Sequence, residues 1–279
     1  MFNLVFLNIH LYLGTVNCLK YLKSGKLVSC STDKTIKIWS IDSTKSKFGQ
    51  CLKTLKTESE IKCLEELENL NLIGGSSNNE IITWNSSYKL IKDAIKYHFE
   101  NFPQRVSINC LKDLLKSKYA SCSSDNYTIK IWNYNNESIF ILQGHSGVVM
   151  DLITKENKLF SCSLDSSIKI WNINNGECIN TFHSQLKLVS NPAICLKFSE
   201  DGNLISGHQN TIKIWDLESG ECIKTIEVKT EFRNFEFYRE IENAKKMFYK
   251  KSNSFDCGKV FLIRLIRLLL IGKSLSILF

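Results

Sequence analysis

The chain has 279 residues, 43% of them apolar, and a formal charge of +8. That supports a continuous core in one large or two small domains. The charge is uneven: residues 229–279 hold 11 Lys/Arg against 5 Asp/Glu, and residues 1–228 hold 25 against 23. A nucleic-acid surface places its basic excess on the folded body, so no nucleic-acid partner is expected.

The first element is the partly alternating stretch Phe2 to Leu7. It has no basic residues before it and no small-residue cleavage site, so it reads as a strand rather than a targeting peptide. The unit near the middle of the chain is the clearest. Glu137–Leu142 reads as a strand closed by Gly144-His145, followed by strands at Val148–Ile153, Lys158–Ser163 and Ser167–Asn172. Ile168-Lys169-Ile170-Trp171 alternates with period two, as a half-buried strand requires. Lys155-Glu156-Asn157, Asp165-Ser166 and Asn174-Asn175-Gly176 supply the turns. Residues 86–109 read as a long connection, and a partner contact there is one reading. Glu221–Val228 is the last legible strand, Glu236–Lys251 reads as helical, and Val260–Phe279 is apolar. Arg264, Arg267 and Lys273 interrupt that last stretch. At roughly 2.5–3.5 kcal/mol per central arginine, a spanning helix is not expected. A basic amphipathic helix on a membrane surface, a helix docked on the main body, and a truncated or mis-spliced sequence stay open as alternatives.

The phrase Ser161-Cys162-Ser163-Leu164-Asp165-Ser166-Ser167-Ile168-Lys169-Ile170-Trp171 recurs five times, ending at Trp39, Trp84, Trp132, Trp171 and Trp215. The separations are 45, 48, 39 and 44 residues, the period of a repeat architecture. With Gly-His at the start, Ser-x-Ser-x-Asp in the middle and Ile-Trp-Asn/Asp at the end, residues 1–228 resemble the WD-repeat family. The resemblance implies an all-β fold, a β-propeller of four-stranded antiparallel blades, with residues 229–279 as a C-terminal extension. Five blades are countable. The ring could be completed by the N-terminal strand, by a degenerate sixth blade from the tail, or left open.

The resemblance also implies a hydrogen-bonded structural tetrad of His, Ser, Asp and Trp in each blade. In the fourth unit these are His145, Ser161, Asp165 and Trp171. The first unit offers His10, Ser29, Asp33 and Trp39, and the third His98, Ser121, Asp125 and Trp132. The second has Gly74 and Asn78 in place of the serine and aspartate. The fifth keeps His183 but has Ile205 and Gln209. A His–Ser–Asp set resembles a hydrolase triad, but its recurrence at blade spacing makes it a brace. No enzyme activity is expected.

Function is left to the rim, where the scaffold does not repeat. The candidates are the residues just before the tetrad acid, Thr32, Ser77, Ser124, Leu164 and His208, and those just before the inner Cys-Leu, Asn17, Lys62, Asn109, Met150 and Ile194. They are expected to bind a protein or peptide, within a multi-protein complex. Membrane contact by residues 260–279 is the alternative.

Ten of the eleven cysteines fall on three repeat positions: Cys18, Cys63, Cys110 and Cys195; Cys30, Cys122 and Cys162; Cys51, Cys178 and Cys222. Small buried thiols in a reducing, cytoplasmic setting are the expectation. No Cys/His cluster has zinc spacing, and no cofactor or metal is expected.

Overall fold

The computed structural model describes residues 13–41, 49–96, 107–124, 127–183, 191–199, 201–208 and 210–227. These form twenty strands in five four-stranded antiparallel sheets, and no helix occurs among them. Blade one holds β1 Val16–Tyr21, β2 Lys26–Ser31, β3 Thr35–Ser40 and β4 Cys51–Lys56. Blade two holds β5 Ile61–Glu66, β6 Leu72–Ser76, β7 Glu80–Trp84 and β8 Leu90–Lys96. Blade three holds β9 Ile108–Leu115, β10 Lys118–Ser123, β11 Ile129–Asn133 and β12 Ser138–Leu142. Blade four holds β13 Val149–Lys155, β14 Lys158–Ser163, β15 Ser167–Asn172 and β16 Cys178–His183. Blade five holds β17 Cys195–Phe198, β18 Leu204–Gly207, β19 Thr211–Trp215 and β20 Cys222–Glu227.

The expected strands of the fourth unit agree with the observed ones to within two residues. The reading of residues 86–109 is corrected: Leu90–Lys96 is the fourth strand of blade two, paired with β7. Its alternation is weak, but the backbone groups of β7 need a partner on that side. The expected N-terminal strand, the helix at 236–251 and the apolar stretch at 260–279 lie outside the described residues.

Alternating strands give each blade two apolar faces. One face of blade four carries Phe160, Cys162, Ile168 and Ile170, and it packs on Ala193, Leu196, Leu204 and Trp215 of blade five. The same pattern joins blades three and four, two and three, and one and two. The tryptophan of each later blade thus closes on the blade before it, which explains why it is the most faithful residue of the repeat.

Burial explains the cysteines of the first two repeat positions, whereas Cys51 and Cys222 are only half-buried and Cys178 is exposed, because they lie on the outer strands. Cys30, Cys122 and Cys162 are buried, and that burial pushes their thiols well above the ordinary range, which leaves them protonated and inert. The ten cysteines among the described residues are free thiols.

Candidate interaction face

The brace is complete in blade four. Trp171 Nε1 donates to Ser161 Oγ at 2.8 Å, His145 Nε2 lies 2.7 Å from the same hydroxyl, and His145 Nδ1 lies 2.7 Å from Asp165 Oδ2. A carboxylate only accepts, so Nδ1 carries a proton, and in the neutral imidazole Nε2 receives the hydroxyl proton of Ser161. Asp165 also accepts from the Ser146 and Ser167 amides and the Ser167 hydroxyl. Burial works against its charge, but the bonds from His145, Ser167 and Ser146 prevail and hold the carboxyl well below its ordinary range. Ser161 is fully buried, so no substrate reaches this His–Ser–Asp set.

Blades one and three keep the indole bond, Trp39 Nε1 to Ser29 Oγ at 2.6 Å and Trp132 Nε1 to Ser121 Oγ at 2.7 Å. Asp33 Oδ2 accepts from the Leu13 amide as Asp165 Oδ2 does from Ser146. That register makes Tyr12, not His10, the sequence counterpart of His145. The bond from the Ser107 amide to Ser124 Oγ matches that from Thr15 to Thr32, and the same count points to Gln104 rather than His98. His10, Tyr12, His98, Gln104 and Asp125 lie outside the described residues.

Blade five departs from the sequence reading. Its serine is Ser206, one residue on from Ile205, and it accepts from Trp215 Nε1 at 2.8 Å. The histidine is His208, which is only 2% exposed. Its Nε2 lies 2.8 Å from Ser206 Oγ, and its Nδ1 meets the Asn191 carbonyl at 2.8 Å. His208 is therefore a buried brace residue and not a rim contact. It sits where the other blades have Ser31, Ser76, Ser123 and Ser163, and it replaces an imidazole delivered from the preceding loop. His183, expected in the brace, is an exposed residue at the end of β16. Burial, reinforced by Lys213, pushes the His208 imidazole down to about 4, against the pull of the Asn191 hydrogen bond.

Blade two has Gly74 at the serine position, where the Trp84 ring and Ile61 pack closely against the backbone. A Cβ on Gly74 would lie 3.0 Å from the Trp84 ring and 3.2 Å from Ile61, and one on Gly75 would lie 2.5 Å from Ile108.

The remaining rim residues gather at one end of the blades. The amides of Thr32, Ser77, Ser124 and Leu164 donate to the carbonyls of Thr15, Glu60, Ser107 and Val148, which lead into the inner strands. Asn17, Lys62, Asn109 and Met150 are each skipped by the pairing of the inner strand with its neighbour, at an irregularity of the ladder. Such a bulge re-aims a side chain away from the sheet. Asn17 Nδ2 donates to Ile61 O and Glu60 Oε1 of blade two, and Asn109 Nδ2 reaches Val149 O of blade four at 3.4 Å. Lys62 pairs with Glu60 at 2.8 Å. Leu164 is 45% exposed, and Met150 packs partly against the blade-five cluster. In blade five Ile194 donates its amide to Gly207 O.

Two inter-blade groups were not singled out from sequence. Asp151 occupies the position of Cys18, Cys63, Cys110 and Cys195 and is buried. It accepts from Cys110 Sγ of blade three at 3.4 Å and from the Leu196 amide of blade five at 2.9 Å. Glu65 lies between Lys20 of blade one at 2.7 Å and Lys112 of blade three at 3.8 Å. Burial opposes its charge, but Lys112 and Lys20 hold the carboxyl below its usual value. The one signal for Asp151 was a charged residue at a cysteine position of the repeat. Among the described residues no group of side chains could hold a metal ion.

These braced sheets are blades of a WD-repeat β-propeller. The profile of the family "WD domain, G-beta repeat" matches residues 4–40, 136–172 and 176–216, so the chain carries WD40 repeats. The crystal structure of the WD40 β-propeller domain of Doa1 superposes with a TM-score of 0.63 at 23% identity, covering 77% of this chain and 70% of that one. Among sequence relatives, nuclear distribution protein PAC1 of Candida glabrata is 26% identical over 57% of this chain and 40% of its own length. Elongator complex protein 2 of Schizosaccharomyces pombe is 27% identical over 57% of this chain and 23% of its own. WD repeat-containing protein 89 homolog of Dictyostelium discoideum is 34% identical over 25% of this chain and 20% of its own. The chain thus spans well under half the length of these relatives. Propellers of this family generally act as non-catalytic protein-interaction scaffolds.

Proposed function

We propose that the protein is a non-enzymatic, cytoplasmic interaction platform. It binds a peptide or protein segment across the channel mouth, through Thr32, Ser77, Ser124 and Leu164 on the turns and Asn17, Lys62, Asn109 and Met150 on the inner strands. Residues 1–228 form the binding domain and residues 229–279 an extension of it.

One observation carries this reading. The irregularity that turns residues 17, 62, 109 and 150 off the ladder is the same in four blades, while the side chains it presents are amide, ammonium, amide and thioether. A constant backbone device with a varying side chain suits recognition of an irregular partner. One relative's name places it in a complex, which agrees with a partner that is protein. No finding favours the membrane-surface alternative. Among the described residues no helix is long and apolar enough to cross a membrane.

The test compares the intact chain with a Lys62→Glu/Leu164→Asp double variant in quantitative affinity purification. Loss of specific partners at an unchanged melting temperature is the expected result. Partners retained in full by the variant would overturn the channel-mouth assignment.

A further inference from the structure

The outermost strand of a sheet offers a row of backbone donors and acceptors to any further strand, and charged side chains are the usual protection. Each of the five sheets ends in such a strand: β4, β8, β12, β16 or β20. Four of these carry charged or polar guards, among them Lys53 on β4, Lys92 and Asp93 on β8, Asn180 and His183 on β16, and Lys224 on β20. The fifth, β12, reads Ser-Ile-Phe-Ile-Leu and has no charge. The charge that precedes it, Glu137, is turned back onto its own hairpin, where Oε2 accepts from Asn133 Nδ2 at 2.7 Å.

One face of β12 is anchored, since Phe140 and Leu142 pack into the core shared by blades three and four. Ile139 and Ile141 are 37% and 51% exposed. Ile139 falls at a ladder irregularity that the other four outer strands share, so the bulge does not set β12 apart. From Phe140 to Leu142 the pairing with β11 is regular, and among the described residues no strand pairs with the other edge.

We propose that two copies of the chain pair through β12, antiparallel about a two-fold axis at Ile141. Ile141 then meets the same residue of the second copy, Phe140 lies opposite Leu142, and Ile139 lies opposite Gln143. No like charges face each other, and apolar cross-strand pairs are the unit of sheet stabilisation. The second copy is the fitting occupant because it brings an uncharged strand of matching length and composition. One strand serves both copies, so the contact is isologous and closes at two instead of extending. The two four-stranded sheets run on as one of eight strands, by strand addition at an exposed edge. The pairing is independent of what binds at the channel mouth.

Sedimentation velocity of the intact chain over a range of concentrations tests this. A monomer–dimer equilibrium is expected. Ile141→Lys opposes two ammonium groups at the two-fold and is expected to abolish the dimer at an unchanged melting temperature. Ile223→Lys, at a similarly exposed site on β20, is expected to leave it intact. Ile141→Cys covers the case of a lysine variant that does not fold: oxidation with glutathione disulfide is expected to join two copies through the introduced thiols, located by mass spectrometry. A monomer at every concentration, species larger than a dimer, a dimer that survives Ile141→Lys or is lost equally in Ile223→Lys, or no link through position 141 would overturn the proposal.

Discussion

His208 and Ser206 sit two residues apart on one strand end, with imidazole Nε2 2.8 Å from the hydroxyl that receives the Trp215 indole proton. Blade four makes the same contact between His145 and Ser161, sixteen residues apart. The chemistry of the brace is thus preserved while the backbone that delivers it changes. His208→Ala leaves a buried hydroxyl short of its acceptor and costs about 1–3 kcal/mol, as His145→Ala does. His183→Ala, at an exposed site, stays within about 0.5 kcal/mol. Urea denaturation of the three variants checks the order.

The same imidazole gives stability an acid limb. Its folded-state value of about 4 lies below the ordinary 6.5, so the unfolded chain binds the extra proton between those values. The contribution is therefore fully present above pH 6.5 and is lost as pH falls through 4. By linkage its size is about 3 kcal/mol. The depressed Asp165 carboxyl adds a further loss below its ordinary value. Replacing His208 by Gln flattens the slope between pH 6.5 and 4. An unchanged slope in denaturation at stepped pH would show that another group titrates there.

Restoring the repeat in blade two has the opposite of a repairing effect. Gly74→Ser drives a Cβ against Trp84 and Ile61, and Gly75→Cys drives one against Ile108. Each overpacks the seam and costs about 1–3 kcal/mol. Thermal melts read this directly, and a gain in either variant would contradict the packing account.

Glu65→Ala leaves Lys20 and Lys112 facing each other across three blades without their shared anion. Loss of one member of a buried pair costs about 3 kcal/mol, with Glu65→Gln intermediate. Because the carboxylate is buried, the penalty changes little between low and high salt, which a salt series of denaturation curves resolves.

Five units of four antiparallel strands and the brace of blade four were legible because a tryptophan closes each copy of the repeat, and Trp84, Trp132, Trp171 and Trp215 each pack into the seam with the blade before. Less was legible where geometry and sequence spacing separate. The β8 strand carries no periodic apolar face, and only the open hydrogen bonds of β7 require it. The brace histidine of blade five was hidden because a side chain reaching a buried hydroxyl need not come from a fixed position. The register that points to Tyr12 and Gln104 comes from amide bonds to Asp33 and Ser124, which no spacing reveals. Asp151 and Glu65 read as ordinary polar residues of inner strands, since burial between neighbouring blades is a property of the ring and not of the repeat.

Asp151 has a mechanical meaning. This carboxylate is held by Cys110 of blade three on one side and by the Leu196 amide of blade five on the other. Tangential load on blade five therefore reaches blade three through a single side chain of blade four.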